Sequence, residues 1–230
     1  MINAIINNKV DRQYFKTNED SLTSFVFEKL SYLPNELFEY LIRHSVNDDI
    51  PEFDFKSLNK IIYWPHWDGD RTTNKKFVIP DVFIRFEKYD LLIEAKRYDE
   101  NQQYYSQWKN EIIAYQNEYK SDNKKLVFIA LGGINNFQTE FIKIENFDQK
   151  IYKCKWSSIL NNVRKLKKQI EPSSNLLNTS FTVNNIFNDL ILIFQIYGYS
   201  VADWFETFDY EKGITDFGIN KLLNKERLYE

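Results

Sequence analysis

The 230-residue chain has a single cysteine, Cys154, and so nothing with which to close an internal disulfide. An unpaired thiol fits a reducing compartment. Near Met1 no basic cluster precedes a long apolar stretch, so no secretory signal is expected and the cytoplasm is the expected location. Apolar runs such as Leu190-Ile191-Leu192-Ile193-Phe194, which stops at Gln195, fall far short of a membrane span. No membrane partner is expected. Excess positive charge is missing too: the formal net charge is −3. That argues against a protein that coats nucleic acid nonspecifically, while leaving room for a local basic groove. There are no internal repeats, and no Gly-Lys-Ser/Thr follows Leu131-Gly132-Gly133 to make a phosphate loop. No serine–histidine or cysteine–histidine constellation stands out. His66, in Trp64-Pro65-His66-Trp67, lacks partners at ligand spacing and reads as part of a turn with packed or stacked tryptophans. His44 has no visible role.

What is present fits a globular α/β protein, with 43 % hydrophobic and 27 % charged residues. Asn18 or Ser21 caps a helix with Leu22, Phe25, Val26 and Leu30 on one face. Pro34 opens a second helix carrying Leu37, Phe38 and Leu41. Ile61 to Trp64 reads as a short strand, and residues 78–100 as a β-hairpin. Tyr104, Trp108, Ile112, Tyr115 and Tyr119 then recur at helical spacing. Leu126 to Leu131 reads as a strand buried on both faces, and Ile151 to Trp156 as another. The next helix has Ile159, Val163, Leu166 and Ile170 as its stripe. Glu171-Pro172-Ser173-Ser174-Asn175 is the expected boundary between a core domain, 1–170, and a mainly helical C-terminal extension, 171–230. That extension holds a helix over about 183–197 and an irregular tail with Trp204, Phe205 and Phe208. The element order predicts a mixed sheet flanked by helices.

The hairpin carries a contradiction. Asp81, Glu94 and Lys96 lie within its apolar runs, where an unpaired charge is costly. A turn centred between Lys88 and Tyr89 pairs Phe86 with Leu91, Ile84 with Ile93 and Val82 with Ala95 on an apolar face. The other face pairs Asp81 with Lys96, Phe83 with Glu94 and Arg85 with Leu92. Asp81 and Glu94 are then diagonal neighbours, roughly 7 Å apart and within reach of a common ion. A divalent cation held by both carboxylates resolves the contradiction. A plain Asp81–Lys96 ion pair, with Glu94 exposed, is the alternative.

Pro80-Asp81, a gap of twelve residues, then Glu94-Ala95-Lys96 resembles the motif of the PD-(D/E)xK phosphodiesterase superfamily. The resemblance extends in element order over about residues 17–168, although only the hairpin is motif-specific. It implies a restriction-endonuclease-like αβββαβ core and a Mg²⁺- or Mn²⁺-dependent endonuclease. Asp81, Glu94 and the Ala95 carbonyl would be metal ligands. Lys96 would orient or deprotonate the attacking water and steady the phosphorane. Many members of the superfamily carry a further acidic ligand on the first helix, where Glu19 stands and Asp20 is the substitute. Several branches place a glutamine where this chain has Gln107, which would orient water or a phosphate. A tyrosine often follows four residues later, but here that position is Glu111, and both residues also suit a solvated helix face.

Residues 151–170 hold six basic residues and no acid. Lys153 and Lys155, alternating about Cys154, and the helix face of Arg164, Lys165, Lys167 and Lys168 are candidates for contact with a phosphate backbone. A solvated helix face is the alternative. The expected partner is DNA, with RNA left open, and a homodimer or partner protein would meet the C-terminal extension. Restriction, defence or a mobile element is the expected setting. A non-catalytic binding module on the same scaffold is the rival reading.

Overall fold

The computed structural model describes residues 4–5, 7, 9–10, 16–50, 58, 60–74, 76–144, 147–170 and 179–199. Asn18 caps α1 (Glu19–Ser31) through a reciprocal capping box. Its side-chain oxygen accepts from the Ser21 N–H at 3.0 Å, and the Ser21 hydroxyl accepts from the Asn18 N–H at 3.1 Å. Pro34 precedes α2 (Asn35–Ser45). Then come β1 (Lys60–Tyr63), a small ribbon of β2 (Trp67–Asp68) and β3 (Phe77–Val78), and the hairpin β4 (Val82–Arg85) and β5 (Tyr89–Ala95). Helix α3 (Tyr105–Tyr119) leads to β6 (Lys125–Leu131), β7 (Glu140–Ile144) and β8 (Phe147–Cys154). The described chain closes with α4 (Trp156–Ile170) and α5 (Thr179–Ile196).

Six strands form one mixed sheet in the order β1-β4-β5-β6-β8-β7. β1, β4 and β5 are antiparallel, β6 runs parallel to β5, β8 runs parallel to β6, and β7 lies antiparallel on the edge. Side chains alternate between two cores. Val82, Ile84, Leu91, Ile93 and Ile129 meet α1, α2, α4 and α5 on one face. Phe83, Leu92, Phe128 and Ala130 meet α3 and the ribbon on the other. Trp67 anchors the ribbon, packing edge-on against Phe83 and Tyr115, which is the packed reading of the His66 loop.

Three expectations change. The hairpin turn is tighter: the Phe86 N–H donates to the Tyr89 carbonyl at 2.9 Å, and Ile84 faces Leu91 rather than Ile93. The slip is two residues, so every side chain keeps its predicted face. The observed register sets Arg85 opposite Asp90, which is fully buried and takes two hydrogen bonds from that guanidinium. Strand β7 joins the sheet unforeseen. Helix α5 also joins the first core through Val183, Phe187, Leu190 and Phe194, packed on α1 and α4. The expected boundary at 171–175 and the tail with Trp204, Phe205 and Phe208 lie outside the described residues. Among the described residues no helix is long and apolar enough to cross a membrane.

Candidate metal centre

Three elements deliver carboxylates to one point. Glu19 comes from the first turn of α1, Asp81 from just before β4 and Glu94 from the end of β5. One oxygen from each lies within 4.8 Å of the others. Asp81 and Glu94 are buried, at 6 % and 1 % exposure, while Glu19 is half-buried and Asp20 is exposed. Glu19, not Asp20, is therefore the acid on the first helix that joins the cluster.

Hydrogen bonds fix each group. Asp81 Oδ2 accepts from the Ala95 N–H at 2.8 Å. In an extended strand a residue's N–H and C=O point to the same edge, so the Ala95 carbonyl also faces the Asp81 side. Glu19 Oε2 accepts from the Arg97 N–H at 3.1 Å. Lys96 Nζ donates to Glu94 Oε1 and, at 3.4 Å, to Glu19 Oε1, so Lys96 bridges Glu94 and Glu19 in place of the Asp81–Lys96 pair of the alternative reading. Gln107 Nε2 donates to Glu94 Oε1 at 2.6 Å, which takes it off a solvated face and makes it a positioning residue for Glu94.

Glu111, for which a solvated helix face is one of two readings, is buried. It sits one turn from Gln107 and three residues from Trp108, so it falls on the buried stripe of α3. Its carboxyl is pushed well above the ordinary range by burial first and by the neighbouring Glu94 charge second. Its Oε2 is buried with no hydrogen-bond partner among the described residues. The signal in the sequence is the i, i+3, i+4 relation to Trp108, Gln107 and Tyr115.

The balance of charge is the outstanding property of the cluster. Among the described residues, Glu19, Asp81, Glu94 and Glu111 face one ammonium, that of Lys96. Burial first, and the Glu94 charge second, push the Asp81 carboxyl up to about 8. Burial also raises Glu94. Burial works against the charged Lys96 ammonium, but Glu94, Glu19 and Asp81 outweigh it and hold the lysine above its ordinary value.

Two glycines shape the wall beside Lys96. Gly132 and Gly133 both adopt left-handed backbone, with φ of 68° and 62°. A Cβ at Gly133 would stand 2.8 Å from Lys96 Cβ, and one at Gly132 would stand 2.4 Å from the Lys96 carbonyl oxygen. Gln103 Nε2 ties the wall to β5 by donating to the Glu94 and Gly132 carbonyls at 3.0 and 3.2 Å. Trp156 Nε1 caps the Lys96 carbonyl at 2.6 Å, so the start of α4 abuts the cluster.

The basic candidates separate. Lys153 is 2 % exposed, donates to Glu140 on β7 at 2.8 Å and lies over the Trp108 ring, so it is withdrawn from any polymer surface. Lys155 is half-buried at the entry to α4. Lys165 and Lys168 are exposed, and Arg164 and Lys167 half-buried, opposite the buried Ile159, Val163 and Leu166. These four stand eight to twelve residues into α4, roughly 12–18 Å along its axis from Trp156.

No family model matches the chain. It is similar to the uncharacterized protein PM0110 of Pasteurella multocida (strain Pm70), with 34 % identity over 135 residues, covering 58 % of this chain and 48 % of that protein. The chain thus spans about half the length of the curated relative it matches.

Proposed function

We propose that the chain is a metal-dependent endonuclease that hydrolyses phosphodiester bonds, foremost in DNA, on a restriction-endonuclease-like core. The observation that carries this reading is the convergence of Glu19, Asp81 and Glu94 within 4.8 Å beside Lys96. The order α1, then antiparallel β1, β4 and β5, then α3, then parallel β6 supports the αβββαβ assignment, with the β2–β3 ribbon as an insertion. The setting that fits is prokaryotic restriction, defence or a mobile element.

The residues suit a hard divalent cation. Every donor is an oxygen, no histidine or cysteine stands among them, and the cluster holds more negative charge than Lys96 balances. Asp81, Glu94 and Glu19 would hold Mg²⁺ or Mn²⁺, with the Ala95 carbonyl on the same edge. Such an ion supplies Lewis acidity, which lowers the pKa of water and offsets charge on the phosphoryl group.

The chain's own groups do the rest. Lys96 stays charged beside its carboxylates and is suited to hold negative charge that grows on phosphoryl oxygens. Gln107 fixes the rotamer of Glu94, and the Glu19 contact with the Arg97 N–H fixes the approach of α1. In the reaction a water oxygen adds to phosphorus, one P–O ester bond breaks, and a proton passes to the departing oxygen.

The test is cleavage of single-stranded, duplex and branched DNA, with RNA beside them, in Mg²⁺, in Mn²⁺ and after chelation. Cleavage should require metal, and Lys96→Met should lower it by about a hundredfold or more. Cleavage that survives chelation, or a fully active Lys96→Met protein, contradicts the reading. A folded protein that binds DNA with metal but never cuts it supports the binding-module alternative.

A further inference from the structure

Beside the carboxylate cluster lies a cleft of about 350 Å³ between α3 and the loop that joins β2 to β3. Gln107 lines it and also donates to Glu94, so cleft and cluster share a wall. We propose that this cleft receives one unpaired nucleobase next to the phosphate being cut. The substrate strand is then single or locally opened at the site. This inference rests on the nuclease reading and specifies its substrate class.

The lining decides the chemistry. Among the described residues it contains no lysine or arginine, so no cationic side chain there is suited to hold a phosphate. Apolar surface from Ile79 and Tyr104 alternates with the neutral hydroxyl and amides of Ser106, Gln107 and Asn110. A flat, neutral heterocycle that stacks on its face and hydrogen-bonds along its edge fits that mixture. Gln107 Oε1 and the Ser106 hydroxyl have no hydrogen-bond partner among the described residues. The volume lies at the lower end of the range for small-molecule clefts, about 300–1,000 Å³, which suits one base rather than a stacked pair.

Tyr104 is the stacking platform. It is the residue before the first turn of α3, is 64 % exposed and has no hydrogen bond from its hydroxyl among the described residues. Ile79, 44 % exposed, lines the same cleft. The cleft wall is itself braced. Asn110 Nδ2 donates to Thr73 Oγ1 at 2.7 Å, and Asn110 Oδ1 accepts from the Thr73 N–H at 3.2 Å, which fixes the loop against α3. A base held in a duplex cannot present its face to such a cleft, because its neighbours already stack on it.

The experiment uses short DNA and RNA strands with 2-aminopurine at successive positions, offered as single strands, perfect duplexes and duplexes with a one-nucleotide bulge. Binding is read by fluorescence on the full-length Lys96→Met protein with Mg²⁺, and cleavage on the wild type with the same strands. Quenching at one position next to the cut is expected, with single and bulged strands cut at least about tenfold faster than duplex. Tyr104→Ala and Ser106→Trp change exposed side chains and should each weaken single-strand binding roughly tenfold and abolish the quench. Equal cutting of duplex and single strand, with no effect of either variant, overturns the cleft assignment and leaves the nuclease reading standing. If nothing is cut but the Tyr104-dependent quench remains, the nuclease reading falls and the base site stands. If neither cutting nor quenching occurs, both fall.

Discussion

The hairpin β4–β5 buries charge at both ends, and the two ends are built on opposite principles. At the turn end, Asp90 takes two hydrogen bonds at 3.1 Å from Arg85 and one at 3.0 Å from the Tyr115 hydroxyl, with Lys124 Nζ at 3.8 Å. Arg85 also pairs with Asp122. Two acids thus face two bases, and every oxygen of the buried Asp90 is engaged. At the open end, among the described residues, Glu19, Asp81, Glu94 and Glu111 face Lys96 alone, and one Glu111 oxygen is buried with no partner. Burying charge on this hairpin does not require an imbalance, because the turn end avoids one. The excess of acid at the open end is the charge that the proposed cation would offset.

The sharpest way to break the comparison is to neutralise one buried aspartate at each end. Asp90→Asn leaves Arg85 without its buried counter-charge and should destabilise the protein by about 3 kcal/mol. Without added metal, Asp81→Asn should act in the opposite sense and stabilise it by roughly 2 kcal/mol, since one of several crowded carboxylates is removed. Denaturant unfolding in a chelating buffer measures both. Effects of the same sign would mean that the open end is also a balanced ion network.

The pH dependence follows from the same acid. Asp81 holds its proton up to about 8 in the folded chain but releases it near 3.8 when unfolded. Between those values the folded state binds more protons, so stability falls as pH rises. The metal-free wild type should lose stability relative to Asp81→Asn between pH 5 and pH 8, as compared by urea titration at both. A constant difference would place the Asp81 carboxyl outside that window.

Gly133→Ala probes the wall. The added Cβ meets Lys96 Cβ at 2.8 Å in backbone that L side chains rarely adopt, so a destabilisation of about 2 kcal/mol is expected, together with a weakened site. Thermal melting and the cleavage rate check it. An unchanged rate would show that the position of Lys96 tolerates the shift.

The smallest expected effect lies on α4. Changing Arg164, Lys165, Lys167 and Lys168 together to glutamine should flatten the salt dependence of DNA binding, by about 0.9 in the log–log slope for each phosphate no longer neutralised. Melting temperature should hold, because Ile159, Val163 and Leu166 are untouched. An unaltered slope would make these residues an ordinary solvated face.

How far the sequence reaches can be seen at particular residues. The faces of the hairpin follow from period-two alternation, and the cap at Asn18 follows from local chemistry. Alternation cannot separate registers that differ by two, and the one adopted sets Arg85 opposite Asp90. Strand β7 is a short edge strand, with Phe141 exposed and Ile142 buried, and its weak pattern hides the true place of Lys153. Without Glu140 beside it, a lysine on a strand looks like a surface cation. Glu111 escapes a reading by residue type because an acid on a helix suggests solvent, although its spacing from Trp108 and Tyr115 puts it on the buried stripe. The docking of α5 is fixed by contacts far apart in sequence, such as that just past its end, where the Tyr197 hydroxyl donates to Ser21 Oγ at 2.5 Å. No local pattern encodes such a contact.

The most direct test of the central claim is thermal melting of the wild type and of Asp81→Asn as Mg²⁺ or Mn²⁺ is raised from zero to millimolar concentration. A cation that binds only the folded cluster must raise the wild-type melting temperature with concentration, by linkage. Asp81→Asn, missing a ligand, should start higher and respond little. Curves for the wild type that do not move at millimolar metal, or that move equally in the variant, would contradict the assignment of the open end of the hairpin as a divalent metal site.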